Sequence, residues 1–189
     1  MASSFVYPAE PVAEVLHRPL ALDAVYREHF KSVWRLLRRL GVAVAQLDDA
    51  TQDVFLIVHR KLADFDARAP LRSWVFAIAV RVASDYRRRA VRGRTERLDD
   101  AIADAAPNPA RLSELRESVK QLHEILGELD DKKRTVFVLS ELEQLSAPEI
   151  ARVLGVNLNT VYSRLRGAKK SFDGALSRRR AARSPGVGP

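Results

Sequence analysis

Ser146-Ala147-Pro148-Glu149-Ile150-Ala151-Arg152-Val153-Leu154-Gly155-Val156-Asn157-Leu158-Asn159-Thr160-Val161-Tyr162-Ser163-Arg164-Leu165-Arg166 is the most specific segment of this 189-residue chain. Ser146 followed three residues later by Glu149 is a capping box, and Pro148 falls in a first turn where its missing N–H does no harm. Ile150, Val153 and Leu154 make an apolar edge, and Ala151 is small enough for a second helix to cross closely. Gly155 supplies the positive φ of a tight turn, Asn157 caps the next helix, and Val161 and Leu165 face back toward the core. The spacing defines a helix-turn-helix. Outward on its second helix lie Asn159, Thr160, Tyr162, Ser163 and Arg166, with Arg164, Lys169 and Lys170 further along. In such a motif the early residues of the second helix meet base edges and the flanking cations meet phosphates. A plain helical hairpin with a solvated basic face is the competing reading. Spacing, cap, turn and charge together favour DNA.

Working outward, 3.6-residue periodicity is widespread, and neither strand alternation nor an Asn-Gly hairpin signal occurs. A first helix is expected from Leu22 to Leu40, with Tyr26, Phe30, Val33, Leu37 and Leu40 on its apolar stripe and Gly41 as its stop. A second runs from Asp48 to Leu62, acidic at its start and basic at its end, as the helix dipole favours. After a polar loop, a third runs from Leu71 or Ser73 to about Arg89, with Leu71, Val75, Ile78 and Val82 as its buried line. Residues 93–111, with Gly93 and Pro107-Asn108-Pro109, read as a linker. Helical period resumes from Leu112 to Leu126 and from Asp131 to Leu142, ahead of the helix-turn-helix. The expected architecture is all-α: two small helical domains, residues 20–92 and 112–177, on a flexible linker. A disordered arm (1–19) and a basic disordered tail (178–189) flank them.

Composition narrows the function. There is no Cys, so no disulfide, no thiol nucleophile and no Cys-ligated zinc. The four His are scattered without metal-ligand spacing, and no phosphate-cradling Gly-rich loop or nucleophile–base constellation appears. No metal, no cofactor and no enzymatic activity are expected. The longest apolar run, Trp74 to Val80, is far short of the roughly 20 residues that span a bilayer, and the first twenty residues do not resemble an export signal. The expectation is a cytoplasmic protein without membrane insertion.

The formal charge of +8 is unevenly spread. Residues 20–94 carry +7 and residues 150–177 carry +4, whereas residues 114–149 carry −4. Two basic surfaces separated by acid suit two contacts with one polyanion. Within the first basic domain, Asp49, Gln52, Asp53 and Leu56 are spaced i, i+3, i+4, i+7 and share one helical face. Acids joined to an exposed aliphatic residue make either a docking stripe or a solvated face with dipole-favoured acids.

Leu47 to Leu62, Ala63-Asp64-Phe65-Asp66, Leu71-Arg72-Ser73-Trp74-Val75-Phe76-Ala77-Ile78-Ala79 and Asp85-Tyr86-Arg87-Arg88-Arg89 resemble region 2 of bacterial RNA polymerase sigma factors of the sigma-70 family. The helix-turn-helix, with Thr160-Val161-Tyr162-Ser163-Arg164-Leu165, resembles region 4 of the same family. Having these two regions alone, joined by a short linker, is similar to the extracytoplasmic-function (ECF) group.

The resemblance implies a sigma factor that binds core RNA polymerase, directs it to promoters and promotes DNA melting. Asp49, Gln52, Asp53 and Leu56 fall where the family meets the β′ clamp helices, and the first part of the second domain falls where it meets the β flap. The loop Phe65 to Pro70, with Asp66 and Arg68, falls where a flipped minus-ten base is captured. The helix after it falls where the melted strand is held; Arg72, Trp74, Arg81, Arg87 and Arg88 are suitable types there. Trp74 and Phe76 are equally suited to the core. Asn159, Thr160, Tyr162, Ser163, Arg164, Arg166, Lys169 and Lys170 fall on the reader of the minus-thirty-five duplex. An anti-sigma partner is also implied. The family often has Asn where Arg81 stands and Lys where Tyr162 stands, which leaves base preference open. The alternative is a free-standing dimeric helix-turn-helix regulator, which a palindrome-specific affinity of the isolated chain would favour.

Overall fold

A computed structural model describes residues 21–93 and 109–183. The expected N-terminal arm and most of the linker lie outside these residues. Seven α-helices and no strand occur among the described residues: α1 Leu22–Arg39, α2 Leu47–Lys61, α3 Leu71–Gly93, α4 Pro109–Glu128, α5 Asp131–Phe137, α6 Ala147–Leu154 and α7 Leu158–Arg183. Short 3₁₀ turns, Val44–Gln46 and Leu62–Asp64, flank α2, and a π-helical turn, Val138–Leu142, extends α5.

The first bundle packs α1, α2 and α3 around Val33, Leu36, Leu37, Leu40, Leu47, Val54, Val75 and Phe76, all with no exposed surface. Burying each such side chain contributes about 1.5–3 kcal/mol, far more than local propensity does. The stripe on α1 differs from the expected one. Val25 and His29 are buried with Val33, Leu36 and Leu37. Tyr26 turns outward at 42% exposure. Val33, Leu37 and Leu40 stay buried, so at about 100° per residue the buried stripe is turned by only roughly 40° from the expected one, enough to move Tyr26 off the core without breaking the apolar period. Gly41, at φ +89°, closes α1: its N–H bonds to the Arg38 carbonyl and the N–H of Val42 to that of Leu37.

The second bundle packs α4–α7 around Ile125, Leu126, Leu139, Ile150 and Val161. Asp130 caps α5 by accepting from the Lys133 N–H at 2.9 Å. Helix α7 continues to Arg183, beyond the end of the domain expected at residue 177. Arg178 and Arg179 lie on Glu128 of α4 at 2.9 and 2.6 Å, so part of the expected tail is helix anchored by ion pairs. The cores of the two bundles are continuous, joining Val33 and Val75 to Leu126 and Ile150 in one apolar cluster.

Candidate nucleic-acid interface

The helix-turn-helix forms as its sequence dictates. The Glu149 carboxylate accepts the N–H and hydroxyl of Ser146 at 2.9 and 2.6 Å, completing the capping box at α6. These donors, the Ser146 hydroxyl foremost, hold the Glu149 carboxyl below its ordinary value. Gly155 adopts φ 63°. The next two amides then satisfy the last carbonyls of α6: Gly155 N–H bonds to Arg152 and Val156 N–H to Ala151. Asn157 caps α7, its Oδ1 accepting both the N–H and the hydroxyl of Thr160 at 2.8 Å.

That cap divides the expected reading residues. Asn159, Tyr162, Ser163, Arg166, Lys169 and Lys170 are exposed on α7, whereas Thr160 and Arg164 are half-buried. The Thr160 hydroxyl is committed to Asn157, so it shapes the helix start instead of presenting a free donor. Tyr162, 55% exposed, is the largest side chain on this face. Lys169 pairs with Glu141 of the π turn at 3.1 Å.

In the first bundle, the loop between α2 and α3 is an Asx turn. Asp66 accepts the Arg68 N–H at 3.1 Å and pairs with its guanidinium at 3.0 Å, while Ala67 takes φ 55°. Phe65 rests against Trp74 at 5.3 Å between ring centroids, both half-buried. Phe76 is fully buried, so of the two rings left open by the sequence it belongs to the core. The Arg72 guanidinium stacks on its face at 4.8 Å. Arg81 is exposed, and Arg88 pairs with Asp85. Arg87 is half-buried and donates to the Leu40 carbonyl.

On α2, Asp49, Gln52 and Leu56 stand exposed in a row. Asp53 beside them is half-buried and accepts a hydrogen bond from the Tyr86 hydroxyl of α3 at 2.8 Å. Burial, and then Asp53, push the Tyr86 phenol up to about 12. An apolar groove runs alongside, floored by Leu22, Tyr26, Phe30 and Phe55 and rimmed by Asp48, Gln52 and His59. Its rings touch, Tyr26 lying 5.1 Å from Phe30 and 4.7 Å from Phe55. The groove and the Tyr86 support were not foreseen. Periodicity had assigned Tyr26 and Phe30 to the core, and no local signal ties Tyr86 to an acid 33 residues earlier.

The described residues thus combine, in one all-helical chain, an acid-and-apolar ridge, a basic helix with a ring-bearing loop, and a helix-turn-helix whose second helix exposes polar and basic side chains. These are the features of a two-domain, all-helical protein of the helix-turn-helix class. The family description "Sigma-70 region 2" matches residues 25–93 and "Sigma-70, region 4" matches residues 120–172. The chain is 30% identical over 165 residues to the RNA polymerase sigma factor CnrH of Cupriavidus metallidurans, covering 82% of this chain and 86% of that one. It is 31% identical over 149 residues to the ECF RNA polymerase sigma factor SigM of Mycobacterium tuberculosis, covering 79% and 74% respectively. The structure of CnrH in complex with the cytosolic domain of CnrY superposes with a TM-score of 0.62 at 27% identity, over 83% of this chain and 88% of that one. The chain belongs to the sigma-70 family of RNA polymerase sigma factors, in its ECF group. The dimeric-regulator alternative is not favoured: the first bundle matches region 2 of a sigma factor.

Proposed function

We propose that this sigma factor docks core RNA polymerase through the α2 ridge and holds the opened minus-ten strand along α3 and the loop before it. The α7 face then reads the minus-thirty-five duplex. One observation carries the reading: a row of exposed Asp49, Gln52 and Leu56 beside an apolar groove, on a bundle that is otherwise basic. Acids placed there repel DNA and suit a protein partner with complementary charge, such as the polymerase β′ clamp helices. The β flap is the corresponding partner of the second bundle.

Physics assigns the other roles. A base leaving the duplex loses a few kcal/mol of stacking, which an aromatic and polar pocket must offset. Phe65 on Trp74, with Asp66 and Arg68 alongside, is such a pocket wall. Arg72, Arg81, Arg87 and Arg88 supply cations for phosphates. On the duplex side, Asn159, Ser163 and Arg166 reach base edges, and Arg164, Lys169 and Lys170 meet the backbone. Polymerisation chemistry belongs to the polymerase, so the chain itself is not an enzyme, and it acts in the cytoplasm. CnrH has been captured with the cytosolic domain of CnrY, and an anti-sigma protein is the corresponding partner here. Retention of core polymerase by the tagged chain tests the reading. Stoichiometric retention is expected, and tight palindrome-specific DNA binding without polymerase would refute it.

A further inference from the structure

The apolar groove between α1 and α2 opens where the chain enters the first bundle. Leu22, the first residue of α1, floors one end of it, ahead of Tyr26, Phe30 and Phe55. Trp34 bonds to Asp48 at 3.1 Å and Tyr26 lies against Phe55, so α1 and α2 run antiparallel along it. The Leu22 end therefore faces His59, and the Phe30 end runs toward Asp48. At about 1.5 Å per residue, the floor from Leu22 to Phe30 is about 12 Å long. Tyr26 and Leu56 are 42% and 44% exposed. Apolar side chains gathered in this way, in contrast to scattered ones, mark a surface that binds something.

The segment joined to this end is the chain's own. Ala21 caps α1 with extended backbone, φ −68° and ψ 124°, and its carbonyl accepts the N–H groups of Ala24 and Val25, so the helix begins there. Pro19 disfavours helical backbone at Arg18, which keeps the preceding residues from prolonging α1. Upstream, Pro11-Val12-Ala13-Glu14-Val15-Leu16-His17-Arg18 places Val12, Val15 and Leu16 at i, i+3 and i+4, one helical face, with Pro11 suited to a first turn. So short a segment cannot hold a helix by itself and needs an apolar surface to form on. Leu16 and Val12 lie six and ten residues before Leu22. Extended chain of those lengths reaches about 20 and 33 Å, more than the groove requires. Charge agrees: residues 1–20 carry Glu10 and Glu14 against Arg18 alone, and α2 ends beside the groove in His59, Arg60 and Lys61.

We propose that residues 12–16 fold back into this groove and seat Val12, Val15 and Leu16 on Tyr26, Phe30 and Phe55. The seat shares Gln52 and Leu56 with the ridge, so the chain's own segment and core polymerase exclude each other there. The exclusion rests on the assignment of the ridge to polymerase; the seat does not. Polymerase then binds only chains whose groove is free, and its apparent affinity is reduced by that fraction.

Nuclear magnetic resonance spectra of the full chain and of a chain lacking residues 2–20 test the seat without polymerase. Signals of Tyr26, Phe30, Phe55 and Leu56 should differ between the two. Val12→Ser with Leu16→Ser should move the full-chain signals to the truncated positions. Phe5→Ser with Val6→Ser, a loss of two apolar side chains outside the seat, should leave them in place. A synthetic peptide of residues 9–20, added to the truncated chain, should restore them. On immobilised core polymerase, the truncated chain and the Val12→Ser, Leu16→Ser variant should each bind at least ~5-fold more tightly than the full chain. Groove signals that stay put on truncation, with helix content retained, would overturn the seat. So would an equal response to Phe5→Ser with Val6→Ser, or signals that move only with rising protein concentration, which would make a second copy the occupant. Unchanged or weaker polymerase binding by the truncated chain would overturn the exclusion. None of these results removes retention of polymerase by the full chain; loss of that retention would strike the docking assignment instead, while the spectra would still decide the seat.

Discussion

Reversing both acids of the α2 ridge, Asp49→Lys with Asp53→Lys, is expected to abolish polymerase binding while the fold survives. The structural cost is legible term by term. Asp49 is exposed in the first turn of α2, where a cation opposes the helix dipole at about 0.3–1 kcal/mol. Asp53 is half-buried and loses the Tyr86 hydrogen bond, a charged contact worth about 1.5–3 kcal/mol before its partial solvent access is discounted. The sum of about 2–3 kcal/mol is smaller than the roughly 5–15 kcal/mol of an ordinary domain, and corresponds to a Tm lower by about 4–12 °C. Two reversed charges in a complementary interface cost several kcal/mol of binding, so core polymerase should bind about 100-fold or more weakly. Calorimetry and anisotropy of the labelled chain titrated with core polymerase measure the two effects separately. A folded double variant that binds polymerase with unchanged affinity would refute the docking assignment.

Other substitutions separate core from surface roles. Phe76→Ala should cost about 3–5 kcal/mol in urea unfolding, since the ring is fully buried, whereas Trp74→Ala should cost less and impair promoter opening instead. Arg166→Ala should weaken binding to the recognised duplex more than to others; Lys169→Ala should act alike on all sequences and lower the salt slope by about one. Burial lowers the pKa of both His29 and His123, so the folded chain disfavours their protonation while the unfolded chain takes up protons below about 6.5. Their contribution to stability is complete above that pH and is lost as pH falls below it. Urea midpoints should therefore drop between pH 7.5 and 5.5, and His29→Gln with His123→Gln should flatten that drop.

The helical architecture and the helix-turn-helix were legible because their determinants are local. Ser146 with Glu149, Gly155 and Asn157 act within a few residues of themselves, and each does in the structure what its type and position dictate. The shared face of Asp49, Gln52 and Leu56 was legible for the same reason, since one helix fixes it. What the sequence withheld depends on contacts between distant segments. Glu143 reads as one more acid in an acidic stretch, and only folding brings Arg39 and Arg72 to it, 104 and 71 residues away. The rotation of α1 that opens Tyr26 to the groove depends on how α2 packs, which periodicity alone does not specify. Helix α7 outran its expected end because Arg178 and Arg179 find Glu128 on another helix.

The most direct measurement replaces one thymine of a promoter's minus-ten element with a fluorescent base that brightens when unstacked, and mixes that duplex with core polymerase, the chain, or both. Fluorescence should rise only when both proteins are present, and should stay flat with the Asp49→Lys, Asp53→Lys variant. A full rise with core polymerase alone, or with the double variant, would contradict the claim that this chain recruits the polymerase through its acidic ridge to open DNA.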